Sequence, residues 1–139
     1  MKDFRKKTQT SKMPGTIKED GTELGVIRIH ENVIASIVRK ATLSVNGVIR
    51  LAGSTLVDNI AEIIGSKKIG DRAIGVDISG DSVSIDVKVI LAYGTHVPTV
   101  AANIQSAVMQ EIEKMTGMGV TCINVIIQEL DDENIEGDN

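Results

Sequence analysis

RAIGVDISGDSVSIDVKVILAYG, residues 72–94, decides the fold, because its apolar residues fall on every second position on both sides of one turn signal. Ile74, Val76 and Ile78 alternate before Gly80 and Asp81, and Val83, Ile85, Val87 and Val89 alternate after them. A period of two places these side chains on one face of a strand, and Gly-Asp between two such runs makes a two-residue hairpin turn. With Ser79 opposite Ser82, Ile78 faces Val83, Val76 faces Ile85 and Ile74 faces Val87, so every apolar pair lies on the same face. A slip of one residue would carry Asp77 or Asp86 into that face. Asp81 is therefore a turn residue rather than half of a catalytic carboxylate pair, and Asp77, Asp86 and Lys88 belong to the solvent side.

Outward from the hairpin the period changes. On its C-terminal side Val97, Val100, Ala101, Ile104, Ala107, Val108, Ile112 and Met115 recur at helical spacing, with Thr99, Asn103, Ser106, Gln110, Glu113 and Lys114 opposite. Pro98 suits the first turn of that helix, where a missing N–H costs nothing, and TGMG at 116–119 ends it before VTCINVIIQ at 120–128 returns as a strand. On the N-terminal side LGVIRIH at 24–30 alternates as a short strand. A helix follows, with Val33, Ile34, Ile37, Val38, Ala41 and Val45 forming its apolar stripe and Glu31 suiting the dipole of its first turn. Asn46 and Gly47 read as its left-handed stop.

The order strand, helix, hairpin, helix, strand defines an α+β two-layer sandwich, with both helices on one face of a mainly antiparallel sheet and a ferredoxin-like or KH-like topology. STLVDNIAEIIG at 54–65 adds a short helix capped by Ser54 or Thr55 and ended by Gly65. The last strand falls at an edge of the sheet. Val120, Ile123, Val125, Ile126 and Ile127 make it apolar on both faces, so another subunit or a different partner is expected to cover it.

Length and charge set the boundaries. A chain of 139 residues with 42% hydrophobic side chains and a mean hydropathy of +0.07 supports one domain with an aliphatic core. Residues 1–20 carry Lys2, Arg5, Lys6, Lys7, Lys12 and Lys18 and read as a flexible basic tail. Residues 21–130 form the domain, and the acidic residues 131–139 read as a disordered tail. No segment approaches the roughly 20 apolar residues that cross a bilayer, and the basic start lacks the apolar run of a secretory signal. A single cysteine, Cys122, cannot form an internal disulfide. These features point to a cytoplasmic protein with no direct membrane insertion.

Candidate chemistry is sparse. His96 sits at a strand-to-helix corner and could act as a base, a ligand or a switch, but no nucleophile or second ligand stands at a defined spacing from it. His30 lies at the other such corner, and Cys122 reads as packing in an apolar strand. One cysteine and two scattered histidines do not make a zinc pattern, so no catalytic, metal or cofactor residues are assigned. GSKKIGD at 65–71 lacks the Lys-Ser/Thr of a phosphate loop and reads as a basic surface turn. At the Tyr93–Gly94 corner the glycine permits an unusual backbone angle while Tyr93 seals the end of the core. Nucleic acid is disfavoured as a partner: only Phe4 and Tyr93 could stack bases, no GxxG loop is present and the pI is near 5.1.

GVIRIHENVIASIVRKA, VNGVIRLAG and AIGVDISGDSVSIDVKVILAYGTHVPTVAANIQSAVMQEIEKMTGMGVTCINVIIQ together resemble the bacterial alkaline-shock, or envelope stress response, family over roughly residues 15–130. The most telling pieces are Tyr93–Gly94 leading into VPTVAANIQSAV, and MTG at 115–117 followed by INVII. The resemblance implies a non-enzymatic scaffold of the cell-envelope stress response, self-associating and brought to the membrane by a partner with its own transmembrane segment. Two departures stand out. His30 occupies a position where a Ser-like helix cap is common, and residues 54–70 are more apolar than the family's glycine-rich loop. The alternatives are an RNA-binding regulator acting through the basic tail and Lys67, Lys68 and Arg72, or an enzyme with a site around His96 or a modulator of a lipid-synthesis enzyme.

Overall fold

The computed structural model describes residues 10–14, 19–22, 24–53 and 73–132. They form β1 (Thr10–Pro14), β2 (Val26–His30), α1 (Glu31–Leu43), β3 (Val48–Leu51), β4 (Ile74–Ser79), β5 (Ser82–Ala92), α2 (Val97–Thr116) and β6 (Gly119–Asp131). The hairpin β4–β5 has the register its alternation requires: Ile74 opposite Val87, Val76 opposite Ile85, Ile78 opposite Val83 and Ser79 opposite Ser82, with Gly80 and Asp81 in the turn.

Strand β5 is bonded on both edges. β6 runs parallel to it from Ser82 to Ala92 along one side, and β4 and β3 share the other, antiparallel to it. The two short strands meet at Lys88, whose carbonyl accepts the Ala52 N–H at 2.9 Å and whose N–H donates to the Ala73 carbonyl at 2.8 Å. β3 and β4 thus act as one long strand interrupted between residues 53 and 73. Parallel neighbours need a crossover of a dozen or more residues, and the 20-residue helix α2 provides it.

Helices α1 and α2 cover one face of this sheet, as the sequence pattern requires. The core between the layers joins Ile34, Ile37, Val38 and Ala41 of α1 and Val100, Ile104, Val108 and Ile112 of α2 to Val83, Ile85, Val87, Val89 and Leu91 of β5. It is aliphatic. Fully burying one such side chain contributes about 1.5–3 kcal/mol, whereas an exposed ion pair such as Arg50–Asp131 (3.2 Å) contributes about 0–1 kcal/mol. Alternation along β5 therefore sets the fold, and charge pairing only trims it.

Several expectations are corrected in detail. The first strand does not enter the main sheet as a ferredoxin-like order would have it: β2 pairs antiparallel with β1, from Thr10 opposite His30 to Pro14 opposite Val26, in a separate two-stranded ladder. Residues 10–14, assigned to the basic tail on composition, are thus a strand. At the other end β6 continues through Asp131, which pairs with Arg50 rather than opening an acidic tail. Strand β3 was not anticipated, since four residues are too few to show a period. Val33 and Met115, assigned to the apolar stripes, are exposed; Thr42 of α1 and Met118 after α2 are buried instead. The helix expected at 54–65 and the turn at 65–71 lie outside the described residues.

Helix α1 ends earlier than its Asn-Gly signal implied. Ser44 is the C-cap, in right-handed conformation, and Gly47 (φ +102°) forms the turn into β3. A Cβ on Gly47 would stand 2.9 Å from Val100 Cγ2, so the position requires glycine for backbone angle and for space alike. We expect Gly47→Ala to cost about 1–3 kcal/mol, read as a lower urea midpoint at unchanged slope; an unchanged midpoint would show that the turn yields. The Thr42 hydroxyl is fully buried with no hydrogen-bond partner among the described residues. Thr42→Val, which keeps the shape and removes the unsatisfied group, should raise stability by about 1 kcal/mol in the same assay.

Candidate interaction surface

The two strand-to-helix corners each carry a histidine, and the two are held differently. At the first, His30 is the N-cap of α1 in extended conformation, and its Nδ1 accepts the Asn32 N–H at 3.0 Å. This is the work a Ser or Asp side chain does at a helix start, and it requires an unprotonated Nδ1. At the second, the Ala92 N–H donates to Gly47 O and the Tyr93 N–H to Asp131 O, each at 2.8 Å, while the Thr95 hydroxyl donates to Ala92 O at 2.9 Å. Gly94 takes a left-handed turn (φ +101°) with open space around it, as the corner geometry suggested. Tyr93, however, is 74% exposed and does not seal the core. The stretch is a hinge of the chain rather than a cradle.

His96 is the exposed N-cap of α2, with Nδ1 2.8 Å from Thr99 Oγ1, and makes no side-chain cap to the helix backbone. The helices run antiparallel, since the turn after α1 touches Val100 at the start of α2. His30 and His96 therefore stand at opposite ends of the helix layer. Cys122 is exposed on β6, its Sγ 4.0 Å from Asn124 Nδ2, and does not pack in the core as expected of it. Among the described residues no group of three or more His, Cys, Asp or Glu side chains could hold a metal ion. Asp20 accepts from the Thr22 hydroxyl (2.7 Å) and the Thr22 N–H (3.0 Å), which hold its carboxyl below the usual carboxylate range. Lys67, Lys68 and Arg72, the loop of the RNA-binding alternative, lie outside the described residues.

The molecule instead offers surfaces. On the sheet face away from the helices, Arg50 reaches across β5 to Asp131, and Asn124 donates to Asp86 at 2.7 Å, so these three charged groups are engaged. The outer side of the helix layer carries a groove of about 470 Å³ between α1 and α2, with Ile37, Ala41, Ala107 and Met115 as its apolar wall and Lys40 and Glu111 at its rim. A second groove, of about 360 Å³, lies where Ala102, Gln105, Ser106 and Met109 of α2 overhang Val120–Ile123 of β6. Gln105 Nε2 bonds the Ile123 carbonyl there at 3.0 Å. Among the described residues β6 pairs only with β5, which makes it the edge strand its sequence position implied. Its exposed side chains include Ile126 (40%) and Leu130 (43%). The periodicity missed the overhang, because it locates the buried stripe of a helix but not its flank beside the sheet edge.

A two-layer α+β domain with engaged polar corners and an open apolar edge is the form in which this chain meets its relatives. Residues 19–131 match the model of the alkaline-shock protein 23 family, described as having a cell envelope-related function. The chain belongs to that family. It is 30% identical over 108 residues to the uncharacterized protein YloU of Bacillus subtilis, covering 77% of this chain and 89% of the relative. It is also 31% identical over 108 residues to YqhY of the same organism, covering 78% of each. A stress response regulator gls24 homolog of Streptococcus pyogenes is 26% identical over 106 residues, covering 76% of this chain and 59% of that protein. Among solved structures, MamM-CTD H285A aligns with a TM-score of 0.47 at 13% identity, over 73% of this chain and 100% of that one.

The two histidines should separate in a stability assay. His30→Ala removes an N-cap and should cost about 1 kcal/mol, recovered by His30→Ser. His96→Ala should change stability by less than about 0.5 kcal/mol, because its one side-chain bond is exposed. Urea unfolding checks both, and equal losses would refute the assignment of cap and bystander.

Proposed function

We propose that this protein is a non-enzymatic interaction protein of the cell-envelope stress response, working by docking to other proteins and held at the membrane by a partner that carries its own membrane-spanning segment. The observation that carries this reading is the division of its side chains. At the two helix-start corners His30 is spent on a cap, His96 on its bond to Thr99 and the Thr95 hydroxyl on the turn, whereas the flank of α2 and the edge of β6 leave apolar and neutral groups open. Membership of a cell envelope-related family and the resemblance to a stress response regulator supply the setting. No helix among the described residues is long and apolar enough to cross a membrane, so attachment through a partner accounts for an envelope role without a spanning helix in this part of the chain. A docking surface of this kind binds through desolvated neutral contacts at its centre, with charge kept to the rim.

Membrane sedimentation tests the proposal. Purified protein should pellet with vesicles from the source cells, and lose at least about ten-fold in bound fraction when those vesicles are first stripped of protein by protease or replaced by liposomes of the same lipids. Equal pelleting with liposomes, or none with native vesicles, would sink it.

A further inference from the structure

We propose that the occupant of the open edge of β6 is β6 of a second copy of this chain, paired antiparallel about a two-fold axis normal to the sheet, with the two α2 helices packed side by side above it. This rests on the docking role proposed above and names the partner and the surface.

The first ground is the edge itself. β6 has 13 residues, about 40 Å of strand, and holds no Lys, Arg or Pro. Short length, lysine and proline are the usual means by which edge strands avoid pairing. β6 has two irregularities, at Thr121 and Gln128, and is regular between them from Cys122 to Ile127. The Ile123 carbonyl, which accepts from Gln105, has a second lone pair for a ladder bond.

The second ground is charge. In a chain with 15 Lys and Arg and 19 Asp and Glu, residues 97–110 of α2 and 119–128 of β6 contain none. The exposed residues of that helix segment include Ala102, Gln105, Ser106 and Met109, which overhang β6. Neutral surfaces can be buried against each other without stripping water from a charge. A nucleic acid would need basic groups here, and there are none in these segments.

The third ground is self-complementarity. A two-fold between Val125 and Ile127 sets Glu129 and Asp131 opposite the neutral stretch Gly119–Val125 of the partner strand, so the acidic ends never meet. An axis normal to the sheet keeps all helices on one side. Ala102 and Ser106, four residues apart on the overhanging flank, are small enough to admit a second helix at the usual 8–10 Å. A strip about 40 Å long and about 20 Å high, one strand plus one helix, gives roughly 800 Å² per copy, the area of a standard stable interface.

Sedimentation equilibrium of the full chain, paired with amide hydrogen exchange, tests this. The wild type should sediment at twice 14.8 kDa with protected amides in Ile123–Ile127. Ser106→Arg/Met109→Lys, on the exposed helix flank, should weaken self-association at least about ten-fold and speed exchange at those amides, with unchanged circular dichroism. A wild type that stays at 14.8 kDa at every concentration reached overturns the proposal. So does a dimer that survives the double substitution while the β6 amides exchange freely. In either of those cases, continued partner-dependent pelleting with native vesicles would leave the docking role standing; a protected dimer that fails to pellet would sink the membrane role alone.

Discussion

Strand β5 is laddered along both edges, buried at alternate residues from Val83 to Val89 and buried throughout from there to Ala92, and the rest of the molecule is arranged around that constraint. A strand in this position can offer only one face to solvent. Here that face carries Ser82, Ser84, Asp86 and Lys88, while the other meets α1 and α2. Because the parallel neighbour must be reached by a crossover, α2 is obliged to be long and to lie over β5 and β6. Its outer flank consequently ends beside the edge of the sheet, where the neutral surface forms.

The same geometry accounts for the corners. The turn before β3 has to pass close to the first turn of α2, and Gly47 makes that approach possible. The Ala92 and Tyr93 N–H groups then tie the end of β5 to Gly47 and to Asp131, so the beginning of α2 is held from both sides of the sheet. Each helix follows a strand and starts at a histidine, yet only His30 accepts a backbone N–H of its own helix, whereas His96 bonds the Thr99 side chain. An identical residue at equivalent corners thus does different work, because a cap needs a ring nitrogen directed at a free backbone N–H.

The hairpin was legible down to the residue, since alternation and turn type together admit one register. The helices were legible as elements, but their buried stripes were read slightly too wide: Val33 and Met115 lie where a helix surface curves away from the sheet, and spacing alone does not measure that curvature. Pairing between distant segments was less accessible. β1 with β2 and β3 with β5 depend on contacts that no local period encodes, and Tyr93 was misjudged because an aromatic beside a core boundary can point either way. The edge position of β6 and its apolar character were visible beforehand, whereas the neutral flank of α2 acquires meaning only once the two are seen to adjoin. His30 was recognised as departing from a usual cap, and its ring geometry makes the cap good.

The break between β3 and β4 has an evolutionary corollary. Ala52 and Ala73 grip the two sides of a single residue, Lys88, so the stretch between them enters and leaves the sheet at one point. Closing a loop costs only slightly more as it lengthens. Its composition and size can therefore drift between lineages with the ladder on either side left in step.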